Sequence, residues 1–192
     1  MGFPREEELA AWVRARLSPE RWRHTQGVLE SALSLARRWG VSEEKARVAA
    51  LLHDAAREES PEGLLKMAGD FGIVRDKICD AEPVLYHGPL AAALARTVWR
   101  IDDPDVLHAI AYHTTGRPGM SPLEKVIFLA DALEPGRQYP GVDALRDQAF
   151  VDLDGALRAS LESSIVYLIQ RGQLIHPDTL AARNQLVMEA RS

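Results

Sequence analysis

Cysteine occurs once in 192 residues, at Cys79. No internal disulfide is available, so the fold does not rest on a disulfide framework, and a reducing, cytoplasmic setting is expected. Long apolar runs are missing too. None approaches the roughly 20 residues that span a bilayer, so no membrane partner is expected. The start, Met1 to Glu8, is acidic where a secretory leader would be basic and then apolar. Position 6 is Glu6, where a myristoylation signal carries a hydroxyl. An excess of positive charge is also lacking: 23 Lys and Arg stand against 28 Asp and Glu, for a net charge of -5. Nucleic-acid binding, which needs a basic stripe to displace counterions, is therefore not expected. A small anionic ligand stays compatible, because a few Arg residues and a metal ion overcome a weak global field. Sustained period-two alternation, a phosphate-cradling P-loop, internal repeats and low-complexity tracts are all absent.

What is present is helix punctuation, nearly end to end. Ser18-Pro19-Glu20 opens a helix with His24, Val28, Ala32, Leu35 and Trp39 on one face, and Gly40 closes it. Ser42-Glu43-Glu44 opens the next, which the pattern carries through Leu51, Leu52, His53, Asp54 and Ala55. Ser60-Pro61-Glu62 and Gly72 bracket a short helix, and 73–86 is mixed. Gly88-Pro89 starts an alanine-rich helix to about Arg100, with His87 just before it. Asp103-Pro104-Asp105 opens one that carries Val106, Ile110 and His113. Ser121 and Glu124 form a capping box ahead of a helix with Val126, Ile127, Leu129, Ala130 and Asp131. Loops at 116–119 and 134–141, a long helix near 151–171 and a last one after Pro177 complete the chain. The expectation is an all-α fold in a single domain, 1–192.

The chemistry lies in polar residues placed where apolar ones belong. His53 and Asp54 sit in an apolar helix, and a buried carboxylate without a cation costs several kcal/mol. His24 stands in line with Val28 and Leu35 on an inward face. Asp131 is enclosed in Phe128-Leu129-Ala130-Asp131-Ala132-Leu133. Four such groups on three apolar faces suggest one shared site; the alternative is four separate Arg or backbone partners. Two His, two carboxylates and no Cys make a nitrogen–oxygen donor set suited to iron, manganese, cobalt or zinc. Such a site lowers the pKa of bound water toward about 7.

The order His24, His53-Asp54, Asp131 resembles the H…HD…D signature of the HD phosphohydrolase superfamily. The wider set is Arg23-His24-Thr25, Leu51-Leu52-His53-Asp54, Tyr86-His87-Gly88-Pro89, 112–120 (Tyr-His-Thr-Thr-Gly-Arg-Pro-Gly-Met) and 123–131 (Leu-Glu-Lys-Val-Ile-Phe-Leu-Ala-Asp). With Glu134-Pro135-Gly136-Arg137 and Tyr139-Pro140-Gly141-Val142-Asp143 added, the chain resembles the bacterial YqeK family from about 18 to 185. The resemblance implies an HD-type helical bundle with C-terminal helices, hydrolysing diadenosine tetraphosphate symmetrically to two ADP by metal-activated water. It implies an iron centre of one or two ions held by His24, His53, Asp54 and Asp131. His87 and His113 would face the phosphates or complete a second metal position; read singly, they are also ordinary half-exposed histidines. Arg21, Arg117 and Arg137, with Gln138 beside the last, are the expected substrate contacts, though each Arg taken alone also reads as a solvated surface residue. His108 and His176 match no motif and read as structural. Arg57 departs from the Lys common in HD proteins, and Arg57-Glu58 supplies only half of the acidic pair of HD-type alarmone hydrolases.

A nucleotide is thus the expected partner, and a homodimer is a permitted assembly. Two other readings stay in play: an HD phosphohydrolase of nucleoside mono- or triphosphates, and a nucleotide-sensing module that binds ADP or GDP without turnover.

Overall fold

Most helices start at a hydroxyl or carboxylate that takes up their free N–H groups, often with proline next. In the computed structural model, which describes residues 3–191, these signals yield eleven α-helices and no strand among the described residues. They are α1 (Glu6–Arg14), α2 (Pro19–Trp39), α3 (Glu43–Leu52), α4 (Pro61–Asp70), α5 (Lys77–Ala81) and α6 (His87–Trp99). The rest are α7 (Pro104–Ala111), α8 (Pro122–Leu133), α9 (Val142–Ala149), α10 (Leu153–Gln170) and α11 (Pro177–Glu189). Ser18, Ser42, Ser60, Asp103 and Ser121 each accept a backbone N–H at a helix start, and Ser121 with Glu124 completes the expected capping box. Each such cap contributes about 1 kcal/mol. Gly40 ends α2 at φ 67°, a left-handed turn that glycine adopts without strain.

Helix α2 packs on both α3 and α8, and α7 joins α3, α6 and α8. Leu51, Leu52, Ile110, Leu123, Ile127 and Leu129 are fully buried where these helices meet. Each large aliphatic side chain so placed contributes roughly 1.5–3 kcal/mol. A smaller cluster of Ala56, Leu64, Ala68, Cys79, Tyr86 and Leu90 secures the approach to α6. The mixed stretch 73–86 resolves into α5 and a 3-10 turn at Pro83–Tyr86.

Two helices carry no strong expectation from sequence, α1 and α9. Leu9 and Val13 of α1 are buried, and its contacts are mainly with α3. Two boundaries differ from the pattern. Helix α3 stops at Leu52 rather than running through Ala55, because the chain tightens to Leu52 O accepting from Ala55 N at 3.0 Å and Asp54 O from Arg57 N at 2.9 Å. Helix α7 likewise stops at Ala111, two residues before His113. Both shortfalls put a histidine at a helix end.

Helices α6 and α7 approach closely at Gly88. A Cβ on Gly88 would stand 2.6 Å from the backbone oxygen of Ala111 and 3.3 Å from that of Ile110. Only glycine lets the start of α6 lie this near the end of α7.

Candidate metal centre

Three of the clustered histidines take their orientation from their own backbone. His53 Nδ1 lies 2.7 Å from Ala50 O, His87 Nδ1 2.5 Å from Val84 O, and His113 Nδ1 2.8 Å from Ile110 O. A carbonyl oxygen only accepts, so each Nδ1 carries the hydrogen and each Nε2 presents a lone pair. The arrangement follows from the helix ends: the carbonyl three residues back is within reach of a ring that has left the helical ladder.

All these Nε2 atoms, and that of His24, converge on Asp54. Its Oδ2 is 3.5 Å from His53 Nε2 and 3.7 Å from His24 Nε2. Its Oδ1 is 3.3 Å from His87 Nε2 and 3.7 Å from His113 Nε2. Asp131 Oδ1 comes to 3.0 Å from His24 Nε2. That pair is not aligned as a hydrogen bond, and His24 Nε2 and His53 Nε2 are buried with no hydrogen-bond partner. His87 Nε2 and His113 Nε2 stand 3.0 Å apart, with the Thr114 hydroxyl within reach of both.

Electrostatics follow the burial. Desolvation lowers His53 to about 4, despite the field of Asp54. Burial also lowers His87, whereas for His113 it is outweighed by the nearby Asp54 carboxylate, so that group is raised. Burial opposes ionisation of Asp54 and Asp131, yet the surrounding histidines and, for Asp131, Arg137 hold both well below the usual carboxylate range.

The unpartnered Nε2 lone pairs of His24 and His53 face carboxylate oxygens with no donor between them, and such groups repel one another unless a cation lies between them. The donor set therefore suits a metal ion: His24, His53 and Asp131 group on one side, and His53, Asp54 and His113 on the other. Nitrogen and oxygen donors without sulfur suit a divalent metal ion.

Cationic side chains border the cluster. Arg21 Nη1 is 3.1 Å from Asp54 Oδ2, and Arg137 Nη2 is 2.7 Å from Asp131 Oδ1. Arg57 lies in the field of Asp54 and Asp131, with Arg21 and Arg137 near; burial lowers its pKa. Among the described residues no carboxylate is within ion-pair distance of the Arg57 guanidinium. Its neighbour Glu58 is engaged elsewhere, accepting from Ser18 N and Ser18 Oγ at the start of α2.

Two expected substrate contacts make no hydrogen bond or ion pair with the cluster. Arg117 turns its fork onto buried Glu124, with Nε and Nη2 each 2.7 Å from a carboxylate oxygen, and covers the Tyr112 ring. Gln138 is exposed, and its side chain makes no hydrogen bond among the described residues. His108 and His176 also lie outside the cluster; His176 caps α11.

Glu134 and Thr114 are the neighbours that motif reading gave no role. Glu134 is buried at the end of α8, with Oε1 3.2 Å from His24 Nδ1. A signal was there: a carboxylate at a helix C-terminus opposes the helix dipole and calls for another partner.

An all-helical bundle that gathers histidines and aspartates into one buried centre defines a metal-dependent HD-type hydrolase. The HD-domain family model matches residues 21–136. The chain is 43% identical over 182 residues to the symmetrical bis(5'-nucleosyl)-tetraphosphatase of Halalkalibacterium halodurans, covering 92% of this chain and 94% of that one. It is 42% identical over 185 residues to the protein of that name in Bacillus subtilis, covering 94% and 97%. Among solved structures, a predicted HD superfamily hydrolase involved in NAD metabolism from Clostridium acetobutylicum superposes with a TM-score of 0.94 at 38% identity. That match covers 98% of this chain and 100% of the other. The chain belongs to the HD-domain family, within its branch of symmetrical bis(5'-nucleosyl)-tetraphosphatases.

Proposed function

We propose that this protein is a symmetrical bis(5'-nucleosyl)-tetraphosphatase that hydrolyses diadenosine tetraphosphate to two ADP. The observation that carries the metal-dependent chemistry is the convergence of four Nε2 atoms and two carboxylates, with guanidinium groups on its border. The curated relatives, alike along almost their whole length, support the choice of substrate.

In this reading His24, His53, Asp54 and Asp131 hold the ion, and iron is its proposed identity. When bound, the ion supplies Lewis-acid activation of water at neutral pH. Asp54 divides its oxygens, Oδ2 toward His24 and His53, Oδ1 toward His87 and His113, an arrangement that accommodates one or two ions. Arg21, beside Asp54, and Arg137, beside Asp131, bind phosphate oxygens. Arg57, with no carboxylate of its own, is the third cation and the one whose fork is free to meet substrate. The Nε2 atoms of His87 and His113, 3.0 Å apart, face the phosphates or complete a second metal position; one of them, when protonated, would assist the leaving phosphate. Fixed cations beside both carboxylates suit a long polyphosphate, and the remainder of a small anionic ligand needs no basic surface. No helix among the described residues is long and apolar enough to cross a membrane; the cytoplasm is the proposed location.

The test is chromatography of early time points, with iron- and manganese-loaded protein and diadenosine tetraphosphate. ADP as the only nucleotide product is expected. ATP with AMP would reject symmetrical cleavage. Rapid phosphate release from a mononucleotide alone would favour a different HD phosphohydrolase, and tight ADP binding without turnover a sensing module.

A further inference from the structure

His24 differs from the other three histidines in where it sits. It lies within α2, where the backbone carbonyls are consumed by the helical ladder, and Arg21 O, three residues back, also accepts the Thr25 hydroxyl at 3.0 Å. The local device that orients His53, His87 and His113 is therefore closed to it. Its Nδ1 meets a side chain from 110 positions further on, Glu134 Oε1 at 3.2 Å.

The carboxylate is held in a fitted niche. Glu134 Oε2 accepts the N–H of Gly136 at 2.6 Å. Two glycines leave room for it: a Cβ at Gly27 would stand 2.6 Å from Oε2, and one at Gly136 2.9 Å from the same atom. Gly27 is one turn along α2 from His24, so the helix that supplies the imidazole also supplies the space for its partner.

We infer that Glu134 is a positioning residue for the metal centre. By accepting the Nδ1–H of His24 it fixes the ring in the tautomer whose Nε2 lone pair faces Asp131 and Asp54. The inference rests on the reading of His24 as a metal ligand. The carboxylate has acceptors on both sides and nothing to donate, and both of its neighbours offer a hydrogen. A glutamine of almost the same size cannot serve both. With its oxygen on the Gly136 N–H, its NH2 group faces His24 Nδ1 and drives the imidazole hydrogen to Nε2. Glu134→Gln thus changes the tautomer while hardly changing the packing, which a purely structural role would not register.

The experiment uses the full chain, stripped of metal, with 15N-labelled histidine. Long-range 1H–15N correlation spectra give the tautomer of His24, and titration with cobalt(II) gives affinity. In the unmodified protein His24 is expected to carry its hydrogen on Nδ1, and in Glu134→Gln on Nε2. Cobalt affinity should fall about 10- to 100-fold, the usual effect of losing a partner that orients a metal-bound histidine. His24→Ala serves as the control. Normal cobalt binding by Glu134→Gln, beside weak binding by His24→Ala, would overturn the positioning role and leave the centre standing. Normal binding by both would remove His24 from the centre and the inference with it. Should Glu134→Gln fail to fold, the unmodified spectrum decides: a hydrogen on Nε2 overturns the inference, and one on Nδ1 upholds it.

Discussion

Replacing Gly88 by alanine should lower stability, although in most helices the same change raises it. Alanine is favoured over glycine in a helix interior by up to about 1 kcal/mol. At Gly88 the new methyl would stand 2.6 Å from the Ala111 oxygen and 3.3 Å from the Ile110 oxygen. Both are backbone atoms of α7 and cannot rotate aside, so α6 and α7 must separate. Overpacking costs about 1–3 kcal/mol, and a clash with unyielding backbone belongs in the upper part of that range, about 2–3 kcal/mol, so subtracting the helix gain leaves a net loss of roughly 1–2 kcal/mol. For a chain of this size that lowers Tm by roughly 2–8 °C. The separation also reaches the site, because His87 begins α6 and His113 follows α7, with their Nε2 atoms 3.0 Å apart. Calorimetry of the metal-loaded protein, paired with kcat on diadenosine tetraphosphate, is the assay. A Tm equal to or above that of the unmodified protein would refute the close approach, and a lowered Tm with unchanged kcat would remove the His pair from the reaction.

Asp54→Ala and His53→Ala should each abolish activity and lower the Tm of metal-loaded protein, since a bound ion stabilises the fold by mass action; His108→Ala should leave metal content intact, and full iron occupancy in Asp54→Ala would sink the proposed centre. Arg117→Ala and Arg137→Ala should separate cleanly. The first strands Glu124, which is 1% exposed, and should cost about 2–3 kcal/mol of stability with little change in kcat/KM. The second should lower kcat/KM about tenfold or more, and the reverse pattern would exchange their roles. Cys79 should resist iodoacetamide at pH 8 in the folded protein, because burial lifts its thiol up to about 12. The folded pKa lies above the unfolded one, so this contribution to stability is complete below the ordinary thiol range and is lost as pH rises toward 12. Alkylation at the rate of the unfolded chain would show the thiol to be open.

Helix starts were the most legible part of the fold, because a cap is a local chemical event: Ser18, Ser42, Ser60, Asp103 and Ser121 each read directly from two or three residues. Helix ends at the site were less so. The apolar pattern of α3 runs on past Leu52, and only the tightening of the backbone at His53 shows where the ladder stops. His24, His53, Asp54 and Asp131 stood out as polar residues on apolar faces, and the structure brings them together with His87 and His113. Arg117 illustrates the opposite case. Its charge suggested phosphate, but Glu124, seven positions on, already fills its fork, and no sequence pattern distinguishes a guanidinium that is spoken for from one that is free. Arg57 is the counterpart, unpaired where its neighbour Glu58 is engaged at Ser18. Glu134 was overlooked because its partner lies far away in sequence and its fit depends on Gly27 and Gly136.

The span of chain that Asp54 gathers also bears on how the protein is made. Its neighbours come from positions 24, 53, 87 and 113, and Asp131 joins them through His24, so the centre is incomplete until all of that length has emerged and docked. Contacts this distant in sequence form after local helices do, since the loop between them must close first. Metal therefore has no complete site to occupy during early folding, and a nascent chain halted short of residue 131 leaves the ribosome without the last carboxylate of the proposed centre.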